Sequence, residues 1–207
     1  MLVNARASEL EIEEVGGPLR LRWRPSPPFT NTQLEEFCRR YDELRIERDS
    51  EGTLTIMSPA GWRTGSREAQ LIIQLGSWAK RDGSGVATTS SAGFYLPNGA
   101  MRAPDAAWTA RTRLDALPQE ELEHFLPIVP DFAVELRSPS DRLREMQLKM
   151  LEYVANGVTL AWLLDPSSRT AYAYRSVAPV QVVQAAMTLD ASPELPGFVL
   201  DLAPIWG

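Results

Sequence analysis

Within residues 102–157 the chain holds two short strands that each carry a Pro-Asp step, followed by a well-marked helix. The first strand reads Arg102-Ala103-Pro104-Asp105-Ala106-Ala107-Trp108, the second Pro130-Asp131-Phe132-Ala133-Val134-Glu135-Leu136-Arg137. Each places an acid, Asp105 or Glu135, where an otherwise apolar strand has no packing use for one. Burying an unpaired carboxylate is expensive, so the fold must supply a cation, either a basic side chain or a metal ion. A metal ion is the expectation here. The two strands could be neighbours in a meander, and if they pair in register the two acids come within reach of one ion.

What the chain lacks narrows the metal. A single histidine, His124, closes every mechanism that needs two His ligands, and it sits among Glu120, Glu121 and Glu123, where it reads as a solvated residue. A single cysteine, Cys38, excludes an internal disulfide and a Cys-rich zinc site. Any catalysis rests on carboxylates and basic side chains. Two acids without His make a poor zinc site, whereas Mg²⁺ prefers one or two carboxylates, waters and substrate phosphate. The net charge of −6 argues against coating nucleic acid by bulk electrostatics, although a local basic groove with bound cations would still allow a nuclease. The longest clean apolar run, Leu160-Ala161-Trp162-Leu163-Leu164, ends at Asp165 and is too short to cross a bilayer. Met1-Leu2-Val3-Asn4-Ala5-Arg6 lacks the apolar core of a signal peptide, so a cytoplasmic location is expected.

At 207 residues, 44% apolar and 23% charged, the chain has room for one good-sized domain and an appendage. Residues 1–29 read as an extended amino-terminal segment packed on a main body at 30–207. Its apolar and charged residues alternate as in strands, around the turn Gly16-Gly17-Pro18. A short helix is expected over 31–41, and a hairpin with arms at 43–47 and 53–57 across Asp49-Ser50-Glu51-Gly52. A long helix over 66–81 packs through Leu71, Leu75 and Trp78. Strands follow at 86–89, 93–96 and 102–108, then a charged connector and the second Pro-Asp strand. Ser138-Pro139-Ser140-Asp141 has the signals of a helix start, with Ser as cap, and Asn156-Gly157 those of a stop. Strands at 159–164 and 170–175 and a short one at 198–200 complete the order. The result is an α/β sandwich with a mixed central sheet flanked by helices. No Gly-x-Gly-x-x-Gly follows a strand, which argues against a doubly wound nucleotide fold.

The helix after Ser138 carries Leu143, Met146, Met150, Tyr153 and Val154 on its apolar face and Lys149 on the flank of that face. A lysine there either snorkels to solvent or reaches the strand ends near the acids. Arg137, two residues beyond Glu135, is the second candidate cation. Asp131 begins its strand and suits a turn role better than a ligand role.

These stretches resemble a known family. Pro-Asp, then an acid, a spacer and a basic residue is the pattern of the PD-(D/E)XK nucleases, whose fold is restriction-endonuclease-like. More narrowly, four stretches are similar to the bacterial Uma-two family of restriction endonucleases. They are Pro97-Asn98-Gly99 with Arg102-Ala103-Pro104-Asp105; Pro130-Asp131 with Val134-Glu135-Leu136-Arg137-Ser138-Pro139-Ser140-Asp141; Lys149 with Tyr153 and Asn156-Gly157-Val158; and Trp162-Leu163-Leu164-Asp165-Pro166. The resemblance implies hydrolysis of DNA with Mg²⁺ or Mn²⁺ held by Asp105 and Glu135, and a further acid from the first long helix, with Glu68 the nearest match and Gln70 the alternative. Arg137 stands where the family pattern has lysine, so either Arg137 or Lys149 would orient the attacking water. An ammonium favours Lys149. A homodimer is also expected. The alternatives are a nuclease-fold protein that binds nucleic acid or a protein partner without cleaving, and a structural dimer formed through the amino-terminal strands.

Overall fold

The computed structural model describes residues 10–13 and 20–207. The amino-terminal strands are present as β1 (Leu10–Glu13) and β2 (Arg20–Trp23), paired antiparallel, while Glu9, Leu19 and the turn Gly16-Gly17-Pro18 lie outside the described residues. Helix α1 (Asn31–Arg40) begins at a capping box: Gln33 N donates to Thr30 Oγ1, and Thr30 N donates to Gln33 Oε1. Two amides that a helix start leaves open are thereby satisfied. Strands β3 (Arg45–Arg48) and β4 (Leu54–Met57) form the expected hairpin, turned through Gly52 at φ 86°, an angle glycine adopts without a Cβ penalty. Strand β2 pairs with β4, so the amino-terminal strands extend this sheet.

Helix α2 (Trp62–Asp82) starts earlier than its apolar stripe indicates, because its first residue, Trp62, faces solvent and contributes nothing to the stripe. Strands β5 (Gly85–Thr89), β6 (Phe94–Tyr95), β7 (Met101–Arg102) and β8 (Ala106–Ala110) follow. The stretch read as one strand over 102–108 is thus two. Pro104 has no N–H to give a ladder, and the chain leaves β7 in one sheet and enters β8 in another. Asp105 stands at that crossing.

The connector contains α3 (Arg111–Leu114) and a 3₁₀ turn (Gln119–Glu123), and leads to β9 (Phe132–Leu136). Helix α4 (Leu143–Ala155) begins later than Ser138. Asp141 is the reason: its Oδ2 accepts from Ser138 N at 2.7 Å and its own N donates to Ser138 O at 3.1 Å, shutting a turn ahead of the helix. The stop at Asn156-Gly157 is as expected, with Gly157 at φ 105°. Strands β10 (Leu160–Asp165), β11 (Thr170–Arg175), β12 (Ala178–Gln184), β13 (Thr188–Asp190) and β14 (Val199–Asp201) lead to α5 (Ala203–Trp206).

The central sheet runs β12-β11-β10-β9-β8-β5, and its β9–β10 pair is parallel while the others are antiparallel. A second sheet runs β1-β2-β4-β3-β7-β6, and β13 pairs with β14. Alternation along the central strands sends Phe132, Val134, Leu160 and Trp162 towards Leu71, Leu75 and Trp78 of α2, and Ala133, Ala161 and Leu163 towards Met146, Met150 and Tyr153 of α4. Each fully buried leucine contributes about 1.5–3 kcal/mol. The same alternation turns Glu135 to the α4 face. Among the described residues no helix is long and apolar enough to cross a membrane.

Candidate active site

Strands β8 and β9 pair in a register that sets Ala106 against Val134, so one step further Asp105 stands opposite Glu135. Asp105 Oδ2 accepts from Leu136 N at 2.8 Å, which locks the first acid to the strand bearing the second. Both acids are buried, and both line a cleft of about 1380 Å³.

Each acid faces a cation. Lys149 Nζ lies 2.7 Å from Glu135 Oε1 and 2.8 Å from Glu47 Oε1. The Tyr153 hydroxyl, one turn along α4, donates to the same Glu135 oxygen at 2.8 Å. Arg45 on β3 pairs with Asp105 Oδ1, and its other terminal nitrogen is 4.0 Å from Glu68 Oε1. Glu47 on β3 also receives Arg102 at 3.2 Å and Ala103 N at 3.1 Å, and Arg102 continues to Glu152 at 2.7 Å. Helix α4, strand β3 and the Pro104 crossing are tied together here by charge.

The two carboxylates that share Lys149 respond in opposite directions. Burial pushes Glu135 up, and although Lys149 opposes this, the neighbouring Asp105 and Glu47 add to it, bringing Glu135 to about 7. Burial pushes Glu47 up as well, but Lys149, Arg102 and the Ala103 amide outweigh it and hold Glu47 at about 2. Burial and the Asp105 carboxylate raise Glu68. Burial, then Glu135, holds the Tyr153 phenol well above its ordinary value, so it stays a donor. Burial would discharge Lys149, yet Glu135 and Glu47 overcome that and raise it.

Among the residues singled out in the sequence, Asp105, Glu135, Lys149 and Glu68 come together in this cleft, and Gln70 does not line it. Arg137 goes elsewhere: it donates to Asp165 at 2.9 Å, Ser167 Oγ at 3.0 Å and the Asp141 carbonyl at 3.0 Å. Strand β9 ends at Leu136, so its alternation no longer governs where Arg137 points. Asp131 takes Ala110 N at 2.8 Å and Arg113 at 2.7 Å, a link between β9 and the end of β8. His124 pairs with Glu35 at 2.8 Å. The sequence reading missed Glu47 and Arg45, and it quoted Arg102 and Tyr153 in the family-like stretches without giving either a role at the site. An available signal was the acid of Arg45-Ile46-Glu47-Arg48 in a hairpin strand.

The profile of the Uma2 family, described as "Putative restriction endonuclease", matches residues 32–203. The chain belongs to the Uma2 family. A crystal structure of "a putative nuclease belonging to DUF820" from Anabaena variabilis is similar in fold, with a TM-score of 0.66 at 18% identity, covering 78% of this chain and 89% of that one. No curated protein matches. The Uma2 match spans both Pro-Asp strands, α4 and the β3 strand that carries Arg45 and Glu47.

The donor chemistry of this Uma2 cleft suits a hard divalent ion. Glu135 Oε1 takes both Lys149 and Tyr153, which leaves Oε2 without a hydrogen bond among the described residues. Among the described lining residues nine acids outnumber five basic side chains, a negative excess that a bound cation would offset. Two carboxylates fit the needs of Mg²⁺, which keeps several waters and is held by one or two carboxylates with substrate phosphate. Among the described residues there is no group of three or more His, Cys, Asp or Glu side chains that could hold a metal ion.

Proposed function

We propose that this chain is a cytoplasmic endonuclease of the PD-(D/E)XK type that hydrolyses DNA phosphodiester bonds with Mg²⁺ or Mn²⁺. The observation that carries this reading is Asp105, the residue before β8, bonded to Leu136 N beside Glu135 on β9, with Lys149 2.7 Å from the second acid. Asp105 and Glu135 would hold the ion; Glu68, the further acid the resemblance implies, lines the same cleft 4.0 Å from Arg45 and would act near the ion rather than complete a three-acid site. When bound, such an ion lowers the pKa of a water and neutralises charge on the phosphate. Lys149, kept charged by Glu135 and Glu47, orients the attacking water. Tyr153 fixes the Glu135 carboxyl through its hydroxyl. Arg45 pairs with Asp105, lies 4.0 Å from Glu68, and would be a basic group beside the acids able to meet a phosphate oxygen.

Cleavage of purified duplex and single-stranded DNA with Mg²⁺ or Mn²⁺ tests this. Glu135→Ala and Asp105→Ala should each lower the rate by at least about a hundredfold. Activity without divalent ions, or activity unchanged in both variants, removes the mechanism.

One observation favours a second reading, a nuclease-fold protein that binds nucleic acid or a protein without cleaving. Both acids already have cationic partners, Arg45 for Asp105 and Lys149 for Glu135. Calorimetry showing no divalent binding, with DNA binding retained, selects that reading.

A further inference from the structure

Five of the six tryptophans are buried, with exposures between 0% and 7%, while Trp62 is 84% exposed. Trp62 is the first residue of α2, a 21-residue helix that fixes its backbone, and it lines the same cleft as Asp105 and Glu135. An indole held almost wholly in water has no packing role here. Arg63 beside it is also exposed, lines the cleft, and forms no ion pair among the described residues. Across the sheet, α4 brings Leu148 to the cleft with 57% exposure. Helices α2 and α4 pack on opposite faces of the central sheet, so apolar surface reaches the cleft from both sides.

We propose that Trp62 is a stacking platform for an unpaired nucleobase, so that the cleft takes single-stranded or locally opened DNA in preference to intact duplex. The inference rests on the nuclease reading and adds its substrate class. A duplex hides both faces of each base between its neighbours and offers only edges in its grooves. A flat indole can stack on a base only where the strand is single, frayed or opened, and every base presents such a face whatever its identity. Arg63, without an ion pair among the described residues, meets the phosphate beside the stacked base. Leu148 covers the strand from the other wall.

The test is binding with Ca²⁺ standing in for Mg²⁺, so that the acidic cleft keeps a divalent ion, read by anisotropy with a fluorescein-labelled oligo-dT of about twelve nucleotides and a duplex of equal length. Trp62→Ala should weaken oligo-dT binding about tenfold or more, and Trp62→Phe should retain most of the affinity. Neither substitution should change duplex binding. Because Trp62 is exposed, an unchanged thermal melt should accompany both variants. The proposal is overturned if wild-type protein does not bind oligo-dT, if Trp62→Ala binds it as wild type does, or if that variant loses duplex and single strand equally. Unchanged oligo-dT binding with altered sedimentation would instead assign Trp62 to contact between copies of the chain. Trp62-dependent binding without Glu135-dependent cleavage sinks the nuclease reading and leaves the platform standing. The reverse pattern sinks the platform alone.

Discussion

Glu135 bears opposing demands in one side chain: burial disfavours its charge, and Lys149 asks for it. Burial wins, with Asp105 and Glu47 adding to it, and the folded carboxyl titrates near 7 rather than at its ordinary 4.5. Between these values the unfolded chain has released a proton that the fold retains, so this group makes stability fall as pH rises from 4.5 to 7. Glu47 has the opposite sign. Its folded value of about 2 contributes stability that is full above 4.5 and is lost as pH falls towards 2. In EDTA, Glu135→Gln should therefore gain stability relative to wild type as pH climbs through that upper window, while Glu47→Gln should be destabilised throughout it. Urea unfolding across pH reads both, and a common sign for the two variants would contradict the assignment. These residues were unequally legible. Glu135 declared itself as an acid between Val134 and Leu136, whereas Glu47 and Arg48 lie at the end of an expected hairpin arm with nothing local to mark them as buried, although Glu47 is 4% and Arg48 6% exposed. Glu47 is met by Arg102, Ala103 and Lys149 of α4, and Arg48 by Phe29, Asn31 and Gly99, mostly distant in sequence.

Elements with a regular apolar period were readable; their ends and junctions were less so. Helix α2 follows from its apolar stripe and strand β10 from its continuous apolar run, but the break of 102–108 into β7 and β8 depends on which sheet each half joins. The late start of α4 depends on Asp141 closing a local turn. Strand β12 went unread, although Val180, Val182 and Val183 carry a β-branched signal, because it pairs only with β11 at the sheet edge and stays exposed. The edge pair β5–β8 can be tested directly. A Cβ on Gly85 would lie 2.4 Å from the Trp108 ring and 2.5 Å from the Thr109 carbonyl oxygen, and the backbone contact cannot be relieved by a rotamer change. Gly85→Ala should cost about 1–3 kcal/mol in urea unfolding, and an unchanged midpoint would contradict this packing.

At the scale of the molecule, the cleft forms where two sheets meet. One supplies β3 with Arg45 and Glu47; the other supplies Glu135 at the end of β9, with Lys149 coming from α4 packed on that sheet's face. Asp105 lies on the chain as it passes between them. The mixed sheet and its flanking helices were legible as a fold class, since each layer needs an apolar face that the sequence displays. The partition into two sheets was not, because strand pairing is set by contacts far apart in the chain. On the proposed reading, divalent cations would offset the acidic lining of the cleft, in a chain of net charge −6, towards a polyanion. The most direct test is a crystal structure of the protein soaked in Mn²⁺, read by anomalous scattering. The predicted result is a peak in direct contact with Asp105 and Glu135, with Arg45 withdrawn from Asp105. A map with no ion between the two acids, and with Arg45 and Lys149 still holding them, would contradict it.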